Sequence, residues 1–238
     1  MLLSTRDEFL GISFYLQLVL ALILAFSIVV ELHAYFIKTT SYKDMGAQAL
    51  AYANWVIYVA RILNMVFAFF LALSWEYGFS LQLSIIFASG FFLGTVLSIL
   101  YLLSRRLEGI INAVLWPVLF IPFRSFRYVR FWRETHNVIS RRWLAMFMTA
   151  GMAYMALLVP FFVARMLPEY RMSAVYVGQA FNFASTLVLL TAVEPRMMLS
   201  LDDAGKAGKK AQFMDGFIYS RIFVTGIFCL SSLYWLLA

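Results

Sequence analysis

Long apolar segments alternate with short polar ones along this chain, and the apolar segments have the length of membrane-spanning helices. A helix needs about 20 apolar residues to cross the hydrocarbon core of a bilayer. Six segments meet this requirement, and none shows the ten-residue alternation of a membrane β-barrel. They are residues 10–33, 49–73, 80–103, 143–166, 173–193 and 213–237. The pattern predicts an all-α, polytopic transmembrane helix bundle in a single integral membrane domain, residues 1–238.

Composition supports the same conclusion. The chain is 63% hydrophobic and 13% charged, whereas a soluble domain averages about 45–50% apolar and about 25% charged. Only lipid can solvate that much apolar side chain in a protein of 238 residues. The first segment is preceded by Arg6, Asp7 and Glu8 and lacks a small-residue cleavage site. We therefore interpret it as a span and not as a signal peptide.

The region between the third and fourth spans, residues 104–142, breaks the pattern. Its apolar part, 107–123, is short and contains Pro117 and Pro122, so we interpret it as a central interfacial or re-entrant helix. A basic amphipathic segment with six arginines follows, at 124–142. Such a segment is expected to bind anionic phospholipids, at about 1 kcal/mol per basic residue. Recruitment of an anionic lipid substrate is the alternative interpretation.

Lysine and arginine are distributed unequally between the two sides of the predicted bundle. Fourteen of the 19 fall in the connections 34–48, 104–142 and 194–212, and three fall on the opposite side. The positive-inside rule makes the first side cytoplasmic, so both termini are predicted to be extracytoplasmic. The net charge of +7 is then a topology signal and does not indicate nucleic-acid binding. Three spans on each side of the central region are compatible with 3+3 inverted halves.

The sequence carries no motif for hydrolysis, nucleotide binding or metal binding. It has one cysteine, Cys229, and two histidines, His33 and His136, without HExxH or CxxC spacing. The lysine-rich residues 205–210 lack the GK[ST] ending of a phosphate-binding loop. We therefore predict a transporter and not an enzyme, with no catalytic residue, no metal and no cofactor.

An arginine near the middle of the second span is the leading candidate for a functional residue. Arg61 sits where a charge costs roughly 2.5–3.5 kcal/mol, and Asn54 and Asn64 share its helix face at spacings of seven and three. Arg221 lies about two turns into the last span, which runs in the same direction. Guanidinium groups bind phosphate through two parallel hydrogen bonds, so both arginines are predicted to line one cavity open to the cytoplasm. The alternatives are an internal ion pair for Arg61 and snorkelling for Arg221.

Charged residues at the cytoplasmic helix ends extend the candidate set. Glu31, Lys38 and Glu194 either pair with the arginines, carry a coupling proton, or are ordinary helix-end charges. His33 is most simply a polar helix-end residue, with proton handling as the alternative.

Two further spacings concern helix packing. Gln179 and Asn182, one turn apart on the fifth span, either bond to another helix or line the cavity. Gly90 and Gly94 form a GxxxG motif. This motif predicts close helix packing within the chain, and an oligomer contact is possible but not required.

Several of these segments together resemble the Amj family of bacterial lipid II flippases. Five segments carry the resemblance in the family's order: ELHAYFIK at 31–38, ARILNM at 60–65, GFS at 78–80 leading into IIFA at 85–88, PEYR at 168–171 followed by SA at 173–174, and VEPR at 193–196. Asn182, Asp202 and Arg221 follow at about the family's spacing. Ala60 stands where the family has serine, and Glu194 where it has aspartate.

The resemblance implies a substrate, lipid II, which is an undecaprenyl diphosphate carrying a disaccharide-pentapeptide. It also implies the bacterial inner membrane and a part in peptidoglycan and cell wall synthesis. The substrate-binding residues expected on this basis are Arg61, Asn64, Arg221, Asn54, Asn182, Glu31, Glu194, Arg196 and Arg171. Three alternatives remain open: a flippase for another polyprenyl-linked glycolipid, an integral-membrane polyprenyl-phosphate enzyme, and a non-catalytic membrane scaffold.

Overall fold

Helices make up nearly all of the described structure. The computed structural model describes residues 2–40, 42–76, 82–103, 110–111, 113–114, 143–193, 195 and 212–237. A helix satisfies its own backbone N–H and C=O groups, for which hydrocarbon offers no partner. The long α-helices in this part of the chain are α1 (Leu2–Thr40), α2 (Tyr42–Glu76), α3 (Leu83–Leu103), α4 (Trp143–Met166), α5 (Arg171–Val188) and α6 (Gln212–Leu237). A 3-10 turn (Pro168–Tyr170) precedes α5, and a π-helical turn (Leu189–Val193) follows it.

Five helices contain windows long and apolar enough to cross a membrane. The windows are Ser13–Tyr35, Tyr52–Ser74, Leu83–Leu103, Met146–Met166 and Tyr176–Val193, close to the first five predicted spans. The sixth predicted span, 213–237, coincides with α6, which has 26 residues and is therefore about 39 Å long. The all-helical fold and the multi-pass membrane character are confirmed. The side of the membrane that holds each terminus stays a prediction.

One predicted connection is mostly helical. Residues 34–48 are polar enough to be predicted as a loop, but α1 continues to Thr40 and α2 begins at Tyr42. Hydropathy marks where a helix leaves lipid and not where it ends, because lysine and glutamine are good helix formers in water. In the central region, the described residues 110–111 and 113–114 are helical. The remainder of the predicted re-entrant helix 107–123 and the basic segment lie outside the described residues.

The chain divides into two compact units. The first comprises Met1–Ala34, Tyr52–Phe126 and Thr225–Ala238, and the second comprises Tyr35–Ala51 and Arg127–Val224. The first unit therefore holds most of α1 to α3, and the second holds α4 and α5. Helices α1, α2 and α6 each contribute residues to both units, and the 3+3 arrangement stays a prediction. An inverted relation between the halves stays a prediction.

In the first unit, α1 and α3 pack side by side and run in the same direction. Gly90 contacts Leu24, and Gly94, one turn later, contacts Ile28, one turn after Leu24. Both partners advance together, so the helices are parallel. A Cβ atom at Gly90 would lie 2.8 Å from Leu24 Cδ2, and one at Gly94 would lie 2.7 Å from Ile28 Cδ1. The GxxxG motif thus permits close packing within the chain, as predicted.

Helix α2 runs antiparallel to these two helices. Asn64 lies beside Ser27 of α1, with 2.7 Å between Asn64 Oδ1 and the serine hydroxyl. One turn later along α2, the ring of Phe67 contacts Phe87 of α3, with ring centroids 5.6 Å apart. Phe87 precedes Gly90, so advancing along α2 means moving backwards along α3. The up-down-up order of the first three helices follows from these contacts.

In the second unit, α4 and α5 form an antiparallel helical hairpin. The Ser185 hydroxyl donates a hydrogen bond to the Thr149 carbonyl oxygen at 2.9 Å. Nearer the turn, Gly178 packs against Pro160 so closely that an added Cβ would overlap the proline ring. Pro160 lacks the N–H that would normally bond to the Ala156 carbonyl. A Cβ at Gly178 would also lie 2.8 Å from that oxygen, so glycine is required at this crossing.

Replacing Gly90 or Gly94 with valine is expected to lower stability by about 1–3 kcal/mol, because the added methyl groups overpack the contact between α1 and α3. The measurement is thermal unfolding in detergent, monitored by the reaction of a thiol dye with Cys229. This residue is the only cysteine and is buried, so it reacts when the protein unfolds. The control is Gly151→Val, since Gly151 is also helical but has nothing within 4 Å of the added Cβ. Equal unfolding midpoints for all three variants would contradict the packing argument.

Candidate functional site

Arg61 and Asn54 are exposed on the same face of α2. They are two helical turns apart, inside the apolar window Tyr52–Ser74. Arg61 lies nine residues after Tyr52, or about 14 Å along the helix, close to half of a 30 Å hydrocarbon core. The exposed Arg61 therefore lies about midway along this apolar window. A charge at that depth is costly in lipid, and such a residue usually faces a cavity or a partner.

Asn64, the third predicted member of this face, has a structural contact. The Ser27 hydroxyl lies 2.7 Å from Asn64 Oδ1 and 2.8 Å from the Leu24 carbonyl oxygen. A hydroxyl has one proton and cannot donate fully to both oxygens. Turning the Asn64 amide so that its nitrogen donates to Ser27 Oγ satisfies both contacts. Asn64 thus helps to join α1 to α2, and a role for it in binding substrate stays a prediction.

Arg221 occupies a different environment from Arg61. Its side chain is only 6% exposed, and Tyr35 beside it is 2% exposed. Nη2 of Arg221 lies 3.4 Å from the Tyr35 hydroxyl, which accepts a hydrogen bond, and the guanidinium carbon lies 5.1 Å from the centre of the tyrosine ring. Both contacts fall within the second unit. Tyr35 therefore holds Arg221 through its hydroxyl and its aromatic face.

The remaining predicted residues are distributed along the helices. Glu31 is half-buried on α1, and Asn182 is exposed on α5, one turn after the exposed Gln179. Arg171 is the first residue of α5, but its side chain lies outside the described part of the chain, as do Glu194 and Arg196. An exposed amide pair in an apolar helix needs hydrogen-bonding partners other than lipid.

Arg61 and Arg221 fall in different compact units. The shared cavity predicted for them therefore stays a prediction. What the structure does establish is the state of each arginine within its own unit: Arg61 is exposed, and Arg221 is buried against an aromatic ring.

Three polar residues of α1 acquire partners that the sequence did not predict. Ser27 meets Asn64, His33 meets Tyr101 of α3, and Tyr35 meets Arg221. The available signal was the presence of polar groups inside an apolar span, because such groups are costly without a partner. The partners themselves lie on helices distant in sequence. Among the described residues, no group of three histidine, cysteine or acidic side chains could hold a metal ion.

Comparison of the chain with protein-family models, curated proteins and solved structures returns no match. Membership of the family that the five sequence segments resemble therefore stays a prediction.

Replacing Tyr35 is expected to destabilise the protein through Arg221. Tyr35→Phe removes only the hydroxyl, at about 1–2 kcal/mol, whereas Tyr35→Leu also removes the cation–π contact, for about 1–2 kcal/mol more. In thermal unfolding in detergent, the midpoint should therefore fall from the wild type to Tyr35→Phe and further to Tyr35→Leu.

The matched control is the same pair of substitutions in an Arg221→Met background. Without the buried charge, loss of the tyrosine should cost less, because the guanidinium that contacts its oxygen and its ring is gone. Additive losses in the double variants would show that the two side chains do not stabilise each other.

Proposed function

We propose that this chain is a flippase that translocates lipid II, an undecaprenyl-diphosphate-linked peptidoglycan precursor, across the bacterial inner membrane. The observation that carries the proposal is the exposed Arg61 near the middle of an apolar span, with Asn54 on the same face. The choice of lipid rests on the resemblance of the five sequence segments.

The Arg61 charge is costly inside an apolar span. At the bilayer centre this cost is roughly 2.5–3.5 kcal/mol on the insertion scale. A protein that needed only a stable bundle would gain by having leucine there. A guanidinium that faces out of its unit is useful if an anion passes it, because its planar donors match phosphate oxygens. A diphosphate crossing the membrane needs such a group, since unpaired polar atoms each cost several kcal/mol in hydrocarbon.

A second cationic side chain supports the same chemistry. Arg221 is held in a defined orientation by Tyr35. An arginine gives a diphosphate a place to exchange part of its hydration shell for charge-assisted hydrogen bonds. Arg221 is 6% exposed, so it can do so only in a state in which it is uncovered. The polyprenyl tail can remain in lipid while the head passes through a wet path. Release of the lipid then requires that no single contact between an arginine and the diphosphate be very strong.

Arg61→Ala is expected to abolish most export, because one charge-assisted contact is worth about 1.5–3 kcal/mol, or about 10- to 100-fold in affinity. The full chain is expressed in bacteria whose own lipid II flippase can be depleted. Lipid II reaching the outer leaflet is then measured with an impermeant reagent. Arg61→Lys should retain part of the export, since it keeps the charge but not the planar fork.

The control variant is Arg165→Ala, which removes an exposed arginine at the end of α4. It should export as well as the wild type. If a well-inserted wild-type chain exports no lipid II, that lipid is not the substrate, and other polyprenyl-linked glycolipids are tested next. Turnover of a polyprenyl phosphate by the purified chain would replace the flippase proposal with an enzyme.

A further inference from the structure

A histidine and a tyrosine are buried against each other in the first unit. His33 on α1 is 0% exposed, and Tyr101 on α3 is 4% exposed. Nδ1 of His33 lies 2.7 Å from the Tyr101 hydroxyl oxygen, and the two rings meet edge to face with centroids 5.6 Å apart. Each residue lies two positions before the end of the apolar window of its helix. Ionisable side chains buried in transmembrane helices are rare and usually mark a functional pathway.

The geometry of this pair suits the binding of a proton. When the imidazole is neutral with its proton on Nε2, the tyrosine O–H donates to Nδ1. When a proton from water binds at Nδ1, the imidazolium N–H donates to the tyrosine oxygen, and the tyrosine proton rotates away. Hydronium gives up this proton and becomes water, an N–H bond forms at Nδ1, and no covalent bond within the protein breaks. The 2.7 Å contact can therefore persist in both charge states.

Histidine is the side chain whose ordinary charge change falls between pH 5 and pH 8. Other titratable or charged side chains also occur on the helices of this unit. Among its described residues, they are Tyr15 and Glu31 on α1, Tyr52, Tyr58 and Arg61 on α2, and Cys229 and Tyr234 on α6. A site-specific measurement on the His33 ring is therefore needed to separate its titration from theirs.

We propose that the His33–Tyr101 pair is a proton-binding site through which a pH gradient drives export, an inference that rests on the proposed flippase function. A charged imidazolium is disfavoured in a fully buried site, so protonation favours a state in which water reaches this end of α1 and α3. Gly90 and Gly94 pack the same two helices together at positions that come earlier in each helix than His33 and Tyr101. Proton binding thus biases the opening of one end of this helix pair.

The proton site is tested directly by nitrogen NMR of the full chain labelled with ¹⁵N-histidine. The chain has only two histidines, so a His136→Gln background leaves His33 as the single probe. As the pH is lowered from 8 to 5, the nitrogen shifts of the His33 ring should report proton uptake at the ring. Tyr101→Phe should change the tautomer balance and the titration midpoint. A His33 signal that shows no protonation across this range would overturn the proposal.

The coupling is tested in proteoliposomes that contain the full chain and lipid II, with the membrane potential clamped. A pH gradient that is acidic on the side to which lipid II is exported should speed this export by about fivefold or more. Fivefold is the lower end of typical coupling between sites. His33→Gln keeps hydrogen bonding but cannot titrate, so its export should not respond to the gradient. Tyr101→Phe should retain a response with a shifted pH dependence, and it serves as the second variant if His33→Gln folds poorly.

The two proposals fail separately in these experiments. If wild-type and His33→Gln chains export lipid II with the same response to the gradient, the proton site is wrong and the flippase function stands. If no lipid II moves in any condition, lipid II is not the substrate, and coupling of the proton site to its transport is wrong with it. The NMR titration then still decides whether the pair binds a proton.

Discussion

Hydrocarbon cannot form hydrogen bonds, and this constraint governs both the backbone and the polar side chains of this protein. The backbone meets it by forming helices along the described chain. Two side chains in the apolar window of α1 meet it through partners on other helices: Ser27 with Asn64 of α2, and Tyr35 with Arg221 of α6. Because each polar group in the membrane needs a partner, an exposed polar face calls for an explanation beyond packing.

Helix α1 connects several of these pairs. Its residues Ser27, His33 and Tyr35 contact α2, α3 and α6, respectively. Its apolar side chains pack on the glycines of α3, where the absence of a Cβ lets the two backbones approach. Van der Waals contact and a few buried hydrogen bonds stabilise such packing, since apolar burial gives little net gain within lipid. A change in the charge of one residue of such a pair therefore changes the contact between the two helices that the pair joins.

The two intramembrane arginines show how the same residue type serves two purposes. Arg221 is buried, and its guanidinium contacts the hydroxyl and the ring of Tyr35. Arg61 projects from α2 with its charge near the membrane centre. The second arrangement costs energy in lipid and gains it when an anion or water is present. Under the proposed transport function, the anionic head group of the lipid would be the partner of this charge.

The sequence by itself determined the helical membrane fold, because segment length and hydropathy reflect the local requirement that every span be apolar and internally hydrogen-bonded. It also predicted the close packing at Gly90 and Gly94, which the contacts with Leu24 and Ile28 bear out. Tertiary structure decided which helices meet, and therefore that His33 lies beside Tyr101 and Arg221 beside Tyr35. These pairs join residues 68 and 186 positions apart in sequence. Contacts of that range depend on how helices dock, which hydrophobic periodicity along one helix does not encode.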